Sequence, residues 1–325
     1  MELICPAGTP AAFRDAVEAG ADAVYCGFRD ETNARNFPGL NFSRDELAEA
    51  VVHARHNNVA TLVAINTFMR AGNEELWFSA VDDAVAFGAD ALILADLGLL
   101  DYAARRYPGQ RLHVSVQASA SNPDAINFLV DTFAVKRVVL PRVLTVTEIA
   151  DVTKHVRCET EVFVFGGLCV MAEGRCSLSS YATGKSPNMQ GVCSPASHVR
   201  YRSEGSDLVS ELGAFTINRF GADEKAGYPT LCKGRFSAGG ETGYIFEDPI
   251  SLDALGHLDA LEKAGVSALK IEGRQRGRAY IAEVVSRIRR AKDGGTDERT
   301  SQIAGLRALS EGQKTTTGAY EKRWR

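Results

Sequence analysis

Apolar residues in this chain come in short continuous runs, and amphipathic stretches separate them. Eight runs have strand character: Leu3–Cys5, Ala23–Cys26, Val59–Asn66, Ala91–Asp96, Leu112–Gln117, Arg137–Arg142, Val162–Gly166 and Ala268–Glu272. Most lack the alternation of a strand with one wet face. That suits parallel strands covered on both sides. The stretches between them read as helices. Thr9 can cap the first, Pro10 opens it and Gly20 ends it. Ser43 with Glu46, and Thr145 with Glu148, have capping-box spacing. Asn73 is the expected start of the third helix and Gly88 its stop, and Asn122–Pro123 repeats the cap-then-proline signal. Asp253–Lys263 is expected as a helix closed by Gly265, with Gly277–Lys292 as the last amphipathic one.

Strands alternating with helices in this way predict an α/β fold, a (β/α)8 TIM-like barrel rather than an open sheet. No GxGxxG turn favours a dinucleotide-binding fold. The rhythm breaks once. About 100 residues separate the seventh and eighth runs, far more than an ordinary connection holds. A large cysteine-bearing insertion is expected there, with short strands near His198–Ser203, Ala214–Asn218 and Thr242–Phe246. The barrel is placed at residues 1–295, the insertion within it at 167–250, and a C-terminal tail at 296–325. Tyr320 and Trp324 are the tail residues able to dock on the body.

Composition narrows the picture only a little. The 325 residues are 45% hydrophobic and 24% charged, ordinary for a globular protein. A net charge of -4 gives no global attraction to polyanions, so no nucleic-acid partner is expected from charge. The opening MELICPAG has no basic region, long apolar run or cleavage site of a secretory signal. No apolar run reaches the roughly 18–20 residues that span a bilayer. A cytoplasmic location is expected.

In a reducing compartment, clustered cysteines point to ligands or redox groups rather than a disulfide framework. Four of the seven, Cys169, Cys176, Cys193 and Cys232, lie in irregular sequence inside the expected insertion, with 6, 16 and 38 residues between them. Cys5, Cys26 and Cys158 lie in or beside apolar runs and read as core. No short CxxC knuckle is present. The spacing by itself leaves an iron–sulfur cluster, zinc, a redox pair and no metal all open.

A barrel of this kind carries its active site at the C-terminal strand ends. Those ends place Asn66, Asp96, Gln117 and Glu272 as barrel-mouth candidates for catalysis. Arg142, Arg274 and Arg276 are candidates for holding carboxylates, because guanidinium forks match planar anions. Arg278 is as readily explained by a surface ion pair. Protease signatures are missing: there is no HExxH and no GxSxG. Gly184–Ser186 (GKS) lacks the upstream glycine of a phosphate-binding loop, since Ser179 stands there.

The run Glu161-x-Phe163-x2-Gly166-x-Leu168-Cys169-x4-Gly174-x-Cys176-x-Leu178-Ser179 resembles the signature of the collagenase-like peptidase family U-32, with Gly167 where that signature has Ser or Ala. Other stretches resemble the ubiquinone-biosynthesis branch of that family. They include ELICPAG, GADAVYCG, DETNAR, AINTF, GADALILADLG, HVSVQASASN, VVLPRVL, AEGRCSLSSYATGKSPN, GVCSPA, AGYPTLCKGR and SALKIEGRQR. The resemblance runs from Met1 to about Lys292, and TTTGAY in the tail also fits. It implies a [4Fe–4S] cluster on Cys169, Cys176, Cys193 and Cys232. It implies a UbiV-like subunit as heterodimeric partner. It also implies oxygen-independent hydroxylation of a ubiquinone precursor's ring, with prephenate as oxygen donor. Sister branches modify RNA bases and carry a Gln-Pro-Cys-Arg-like run at the third cysteine. This chain has Cys193–Ser194–Pro195–Ala196 there. A non-catalytic scaffold in which the cluster only holds the fold is the third expectation.

Overall fold

A computed structural model describes residues 1–321 of the chain. The first seven strands are β1 (Glu2–Pro6), β2 (Ala23–Cys26), β3 (Ala60–Ile65), β4 (Ala91–Leu94), β5 (Arg111–Val114), β6 (Arg137–Val139) and β7 (Glu159–Gly167). Six helices alternate with them: α1 (Pro10–Glu18), α2 (Arg44–His56), α3 (Glu75–Ala86), α4 (Leu97–Arg106), α5 (Pro123–Phe133) and α6 (Val146–His155). The chain then leaves the barrel through α7 (Leu178–Thr183) and the strands β8 (Val199–Glu204), β9 (Asp207–Leu212), β10 (Phe215–Phe220), β11 (Arg235–Ala238) and β12 (Glu241–Tyr244). It returns along β13 (Ser251–Asp253) and continues through α8 (Leu258–Lys263), β14 (Ala268–Ile271), α9 (Arg278–Asp293), α10 (Thr296–Arg307) and β15 (Thr315–Thr316).

The parallel order β14-β1-β2-β3-β4-β5-β6-β7 closes on itself through β7–β14 pairing, which makes the expected (β/α)8 barrel. Its closing register sets Ala268 against both Glu2 and Glu161. The outer layer of the barrel is apolar and dry. Leu3, Phe13, Phe42, Val63, Trp77, Leu92, Val164 and Ile288 are among the residues packed between strands and helices. The interior is not purely apolar. Lys270 bonds Glu161, and Arg137 reaches Glu2, Glu159 and Glu161 from the barrel's lower end.

Local signals explain most element starts. Thr9 accepts from the Ala12 N–H ahead of α1, Asn122 from Ala125 ahead of α5, and both expected capping boxes are formed. Three expectations need correction. Asn73 does not cap α3, which begins at Glu75 after a Gly72–Glu74 turn and has no side-chain cap. Asp253–Lys263 is not one helix. Residues 251–253 are pulled into sheet pairing with β7, and α8 starts at Leu258. Residues 296–321 are not a free tail. α10 lies on α9, with Leu306 fully buried. β15 pairs with β13. The buried Tyr320 hydroxyl donates to the Phe163 carbonyl in β7. Trp324 lies outside the described residues.

The insertion is built differently. β8, β9 and β10 form an antiparallel sheet, and β11 and β12 a hairpin. Leu212, Ile217 and Leu231 form a small buried cluster within it, and Val192, Val209 and Phe220 are also buried. β13 runs antiparallel to the end of β7, with Ser251 against Gly167, so the insertion leaves and rejoins the barrel at one point. Lys233, next to Cys232, donates to Glu311 at 2.6 Å and ties the insertion to the C-terminal segment. Among the described residues, no helix is long and apolar enough to cross a membrane.

Candidate functional site

The site is where the insertion folds over the barrel mouth, and two glycines make that approach possible. Gly166, with φ +115°, ends the barrel part of β7; a Cβ there would lie 2.2 Å from the Glu272 carbonyl oxygen. Gly174, with φ +80°, presses the insertion onto the loop after β5; a Cβ there would lie 1.9 Å from the Gln117 carbonyl oxygen. Both positions exclude a side chain on conformation and on space.

Cys169, Cys176, Cys193 and Cys232 gather in this lid. Cys232 is in electrostatic contact with Cys193, Cys169 and Cys176, and both Cys169 and Cys176 sense Cys193. Burial pushes the Cys169 thiol up to about 11, and Glu173 adds to the rise. Burial also raises Cys176 and, more strongly, Cys232. Backbone N–H groups oppose this, from Met171 at Cys169 and from Leu178 and Ser179 at Cys176. Such donors stabilise a ligating thiolate. Ser179 Oγ donates to the Cys193 carbonyl and lies 3.6 Å from its sulfur. All seven cysteines are free thiols.

Among the described residues, no three His, Cys, Asp or Glu side chains converge tightly enough to hold one metal ion. A cubane cluster puts each thiolate on a different iron. Its sulfurs therefore stand farther apart than four thiolates each about 2.3 Å from a single zinc. Four half-buried thiols with backbone N–H donors are a donor set that a [4Fe–4S] cluster can take, and four thiolates also suit zinc.

At the barrel mouth, beside the insertion, lies a small pocket open on one side. Its charged lining is Arg35, Arg142, Lys270, Glu272 and Arg274, so cations outnumber the one carboxylate. Burial works against the Glu272 carboxylate, but Arg35, Arg142 and the Gly167 N–H outweigh it and hold its pKa below the ordinary range. The Gly167 bond to Glu272 is 3.0 Å, and Arg35 is 3.6 Å away. Burial brings Arg274 down to about 10. Its Nη1 donates to Asn33 Oδ1 at 2.6 Å, which fixes its direction. Lys270 is also lowered by burial, against the pull of Glu161, and its ammonium sits 3.9 Å over the Tyr25 ring. Gln117 is buried and its Oε1 has no partner among the described residues, so it is ready to accept from a bound molecule.

The expected site residues divide. Asn66, Gln117, Arg142, Glu272 and Arg274 all line the pocket. Asn66 is partly spent on structure, accepting from the Ala34 N–H and donating to Ser115. Asp96 does not line the pocket; it caps α4 through the Leu99 N–H and also accepts from Met69. Arg276 lies outside the lining and stacks on Tyr280 at 5.2 Å. Arg278 pairs with Asp15 at the surface. Sequence reasoning missed Tyr25, Arg35, Phe163, Lys270 and Glu173. Lys270 and Phe163 were readable as inward positions of β14 and β7, two residues from named ones. Arg35 and Glu173 come from loops, and no periodicity could place them.

The profile of peptidase family U32 matches residues 8–323. The chain belongs to peptidase family U32. A family U32 relative, tRNA hydroxylation protein P of Escherichia coli, is 32% identical and covers 95% of this chain and 72% of the relative. Another, a 23S rRNA 5-hydroxycytidine synthase of the same organism, is 29% identical over 92% of this chain and 40% of the relative. This chain thus spans well under the full length of the curated U32 relatives it matches. Among solved structures, a U32 peptidase aligns with a TM-score of 0.43 and 16% identity, over 50% of this chain and 68% of that one.

Proposed function

We propose that this protein is the iron–sulfur subunit of an oxygen-independent hydroxylase, similar to the ubiquinone biosynthesis protein UbiU. It acts in the cytoplasm with a UbiV-like partner on the ring of ubiquinone precursors, with prephenate as oxygen donor. The observation that supports this reading is the juxtaposition at the barrel mouth: an insertion with four thiols packs beside a pocket in which cations outnumber carboxylates. Hydroxylation is also what the curated relatives' names describe.

Cys169, Cys176, Cys193 and Cys232 would hold the cluster, which when bound supplies a one-electron redox couple. The protein's own residues do the rest. Arg35, Arg274 and Lys270 attract a small di-anion, and the fixed fork of Arg274 orients one carboxylate. Gln117 Oε1 accepts from a donor-bearing group on it. Tyr25 and Phe163 wall the pocket. Cys176→Ala should abolish ubiquinone synthesis without oxygen and spare it in air, as read from quinone content of a strain lacking this gene. Normal anaerobic ubiquinone in that variant would sink the proposal.

A second reading, RNA base hydroxylation, is favoured by the names of the relatives. The net charge of -4 offers no electrostatic footprint for RNA. Mass spectrometry of RNA nucleosides from the same strain separates the two: loss of a hydroxylated nucleoside favours the second.

A further inference from the structure

Arg142 stands between lid and pocket, and most of its hydrogen-bonding capacity is already used. Its Nε donates to Glu173 Oε1 at 2.6 Å, and its Nη1 donates to the Gly167 carbonyl. The guanidinium lies 4.3 Å over the Phe163 ring. Both partners of the ion pair are almost fully buried, at 3% and 2% side-chain exposure. The same guanidinium lines the pocket and is in electrostatic contact with Cys169 and Glu272. Glu173 sits in the chain between Cys169 and Cys176, and its carbonyl is held by Ser119 from the barrel side. Its second carboxylate oxygen is buried without a partner. Nη2 of Arg142 makes no hydrogen bond among the described residues.

We propose that Arg142 is a positioning residue that couples the pocket to the cysteine lid, rather than one arm of a donor clamp. It anchors Gly167 and Glu173, the residues flanking Cys169 on either side. An anion entering the pocket draws on the same guanidinium through Nη2 and so changes the charge felt at Cys169. This rests on the reading of the four cysteines as cluster ligands. The coupling is reciprocal. An anion beside the lid disfavours an added electron, so it lowers the midpoint potential of the cluster. Each tenfold difference in anion affinity between oxidised and reduced protein appears as about 59 mV for a one-electron couple.

The test uses the full chain purified without oxygen, with malonate as probe. Iron content, the EPR-monitored midpoint potential and the malonate dissociation constant are read on each protein. Malonate is expected to lower the potential of the parent protein. Glu173→Gln frees the guanidinium, so malonate should bind roughly tenfold tighter, within the usual range of coupling, with a larger shift in potential. Arg142→Gln alone leaves Glu173 buried and unpaired, so the double variant Arg142→Gln/Glu173→Gln is the informative one. It should bind malonate with no response of the potential, or lose its iron while Glu173→Gln keeps it. A double variant that holds iron and responds to malonate as the parent does overturns the coupling. So does a parent protein that binds iron but shows no malonate binding or no shift. A parent protein without iron overturns both this inference and the cluster reading.

Discussion

The barrel and its insertion are stabilised by different means. The barrel has closed backbone pairing and a continuous apolar layer from Leu3 to Ile288, packed against helices of which α1, α2, α4, α5 and α6 carry side-chain caps. The insertion has a small buried cluster of its own, Leu212, Ile217 and Leu231, with Val192, Val209 and Phe220 buried beside it, and a strand, β8, that is largely exposed. Its ion pairs, such as Arg202–Glu211 and Arg219–Glu204, lie at the surface, where such pairs contribute little. A unit of about 80 residues with so small a core needs a staple. The four thiols are in the right place to be one. On the proposed cluster reading, the cysteines would matter to folding of the insertion as well as to chemistry beside it.

On the proposed cluster reading, the largest expected effect follows from removing the iron. Chelation of iron should strip hydrogen-exchange protection from residues 168–250 and leave the β1–β7 amides protected. Equal loss in both regions would break the contrast, because the barrel would then depend on the cluster too. Next is a cavity in the barrel wall. Trp77 is fully buried and its indole N–H donates to Thr67 at 3.0 Å. Trp77→Ala should cost about 3–5 kcal/mol in denaturant unfolding, and iron content per folded molecule should not change.

A smaller effect comes from pH. His113 is buried in β5, and burial, together with Arg137, Arg111 and Lys270, holds its pKa well below the ordinary value. The unfolded chain binds a proton there near pH 6.5, whereas the folded barrel does not. The contribution of a neutral His113 is fully present above about pH 6.5 and is lost as pH falls below it, by up to roughly 1.4 kcal/mol per pH unit. Unfolding curves of the barrel between pH 7 and 5 should show this slope, and His113→Phe should flatten it. The smallest effect is expected for Tyr320→Phe, which removes one buried hydrogen bond to β7. About 1 kcal/mol is expected from thermal or denaturant midpoints. A loss several times larger would mean that the C-terminal segment, and not only the cluster, holds the lid in place.

Legibility in the sequence follows the same division. Barrel strands announced themselves as apolar runs, because burial on both faces leaves no room for polar residues in Ala23–Cys26 or Ala91–Leu94. Polar residues just beyond such runs marked the mouth, which is how Asn66, Gln117, Arg142 and Glu272 were found. Asp96 has the same sequence context but caps α4 and accepts from Met69 outside the pocket, since Ser, Asp and Asn suit both tasks. Glu173 was out of reach: its partner Arg142 lies 31 residues away, and an irregular loop has no period from which to infer a contact. The docking of 296–321 was hidden for another reason. α10 is polar on most faces and shows few buried positions beyond Gln302 and Leu306, so its local sequence resembles that of a tail.

The pairing of Ser251 with Gly167 has a consequence for chain connectivity. The insertion's two stems are hydrogen-bonded neighbours, so to the barrel it is the equivalent of a tight turn, whatever its length. Loop-closure entropy grows only with the logarithm of loop length, and here the closing contacts belong to β7 and β13 themselves. The excursion is therefore exchangeable: a lid of different size or ligand set can be spliced between the same two strands without resetting the register of the other seven.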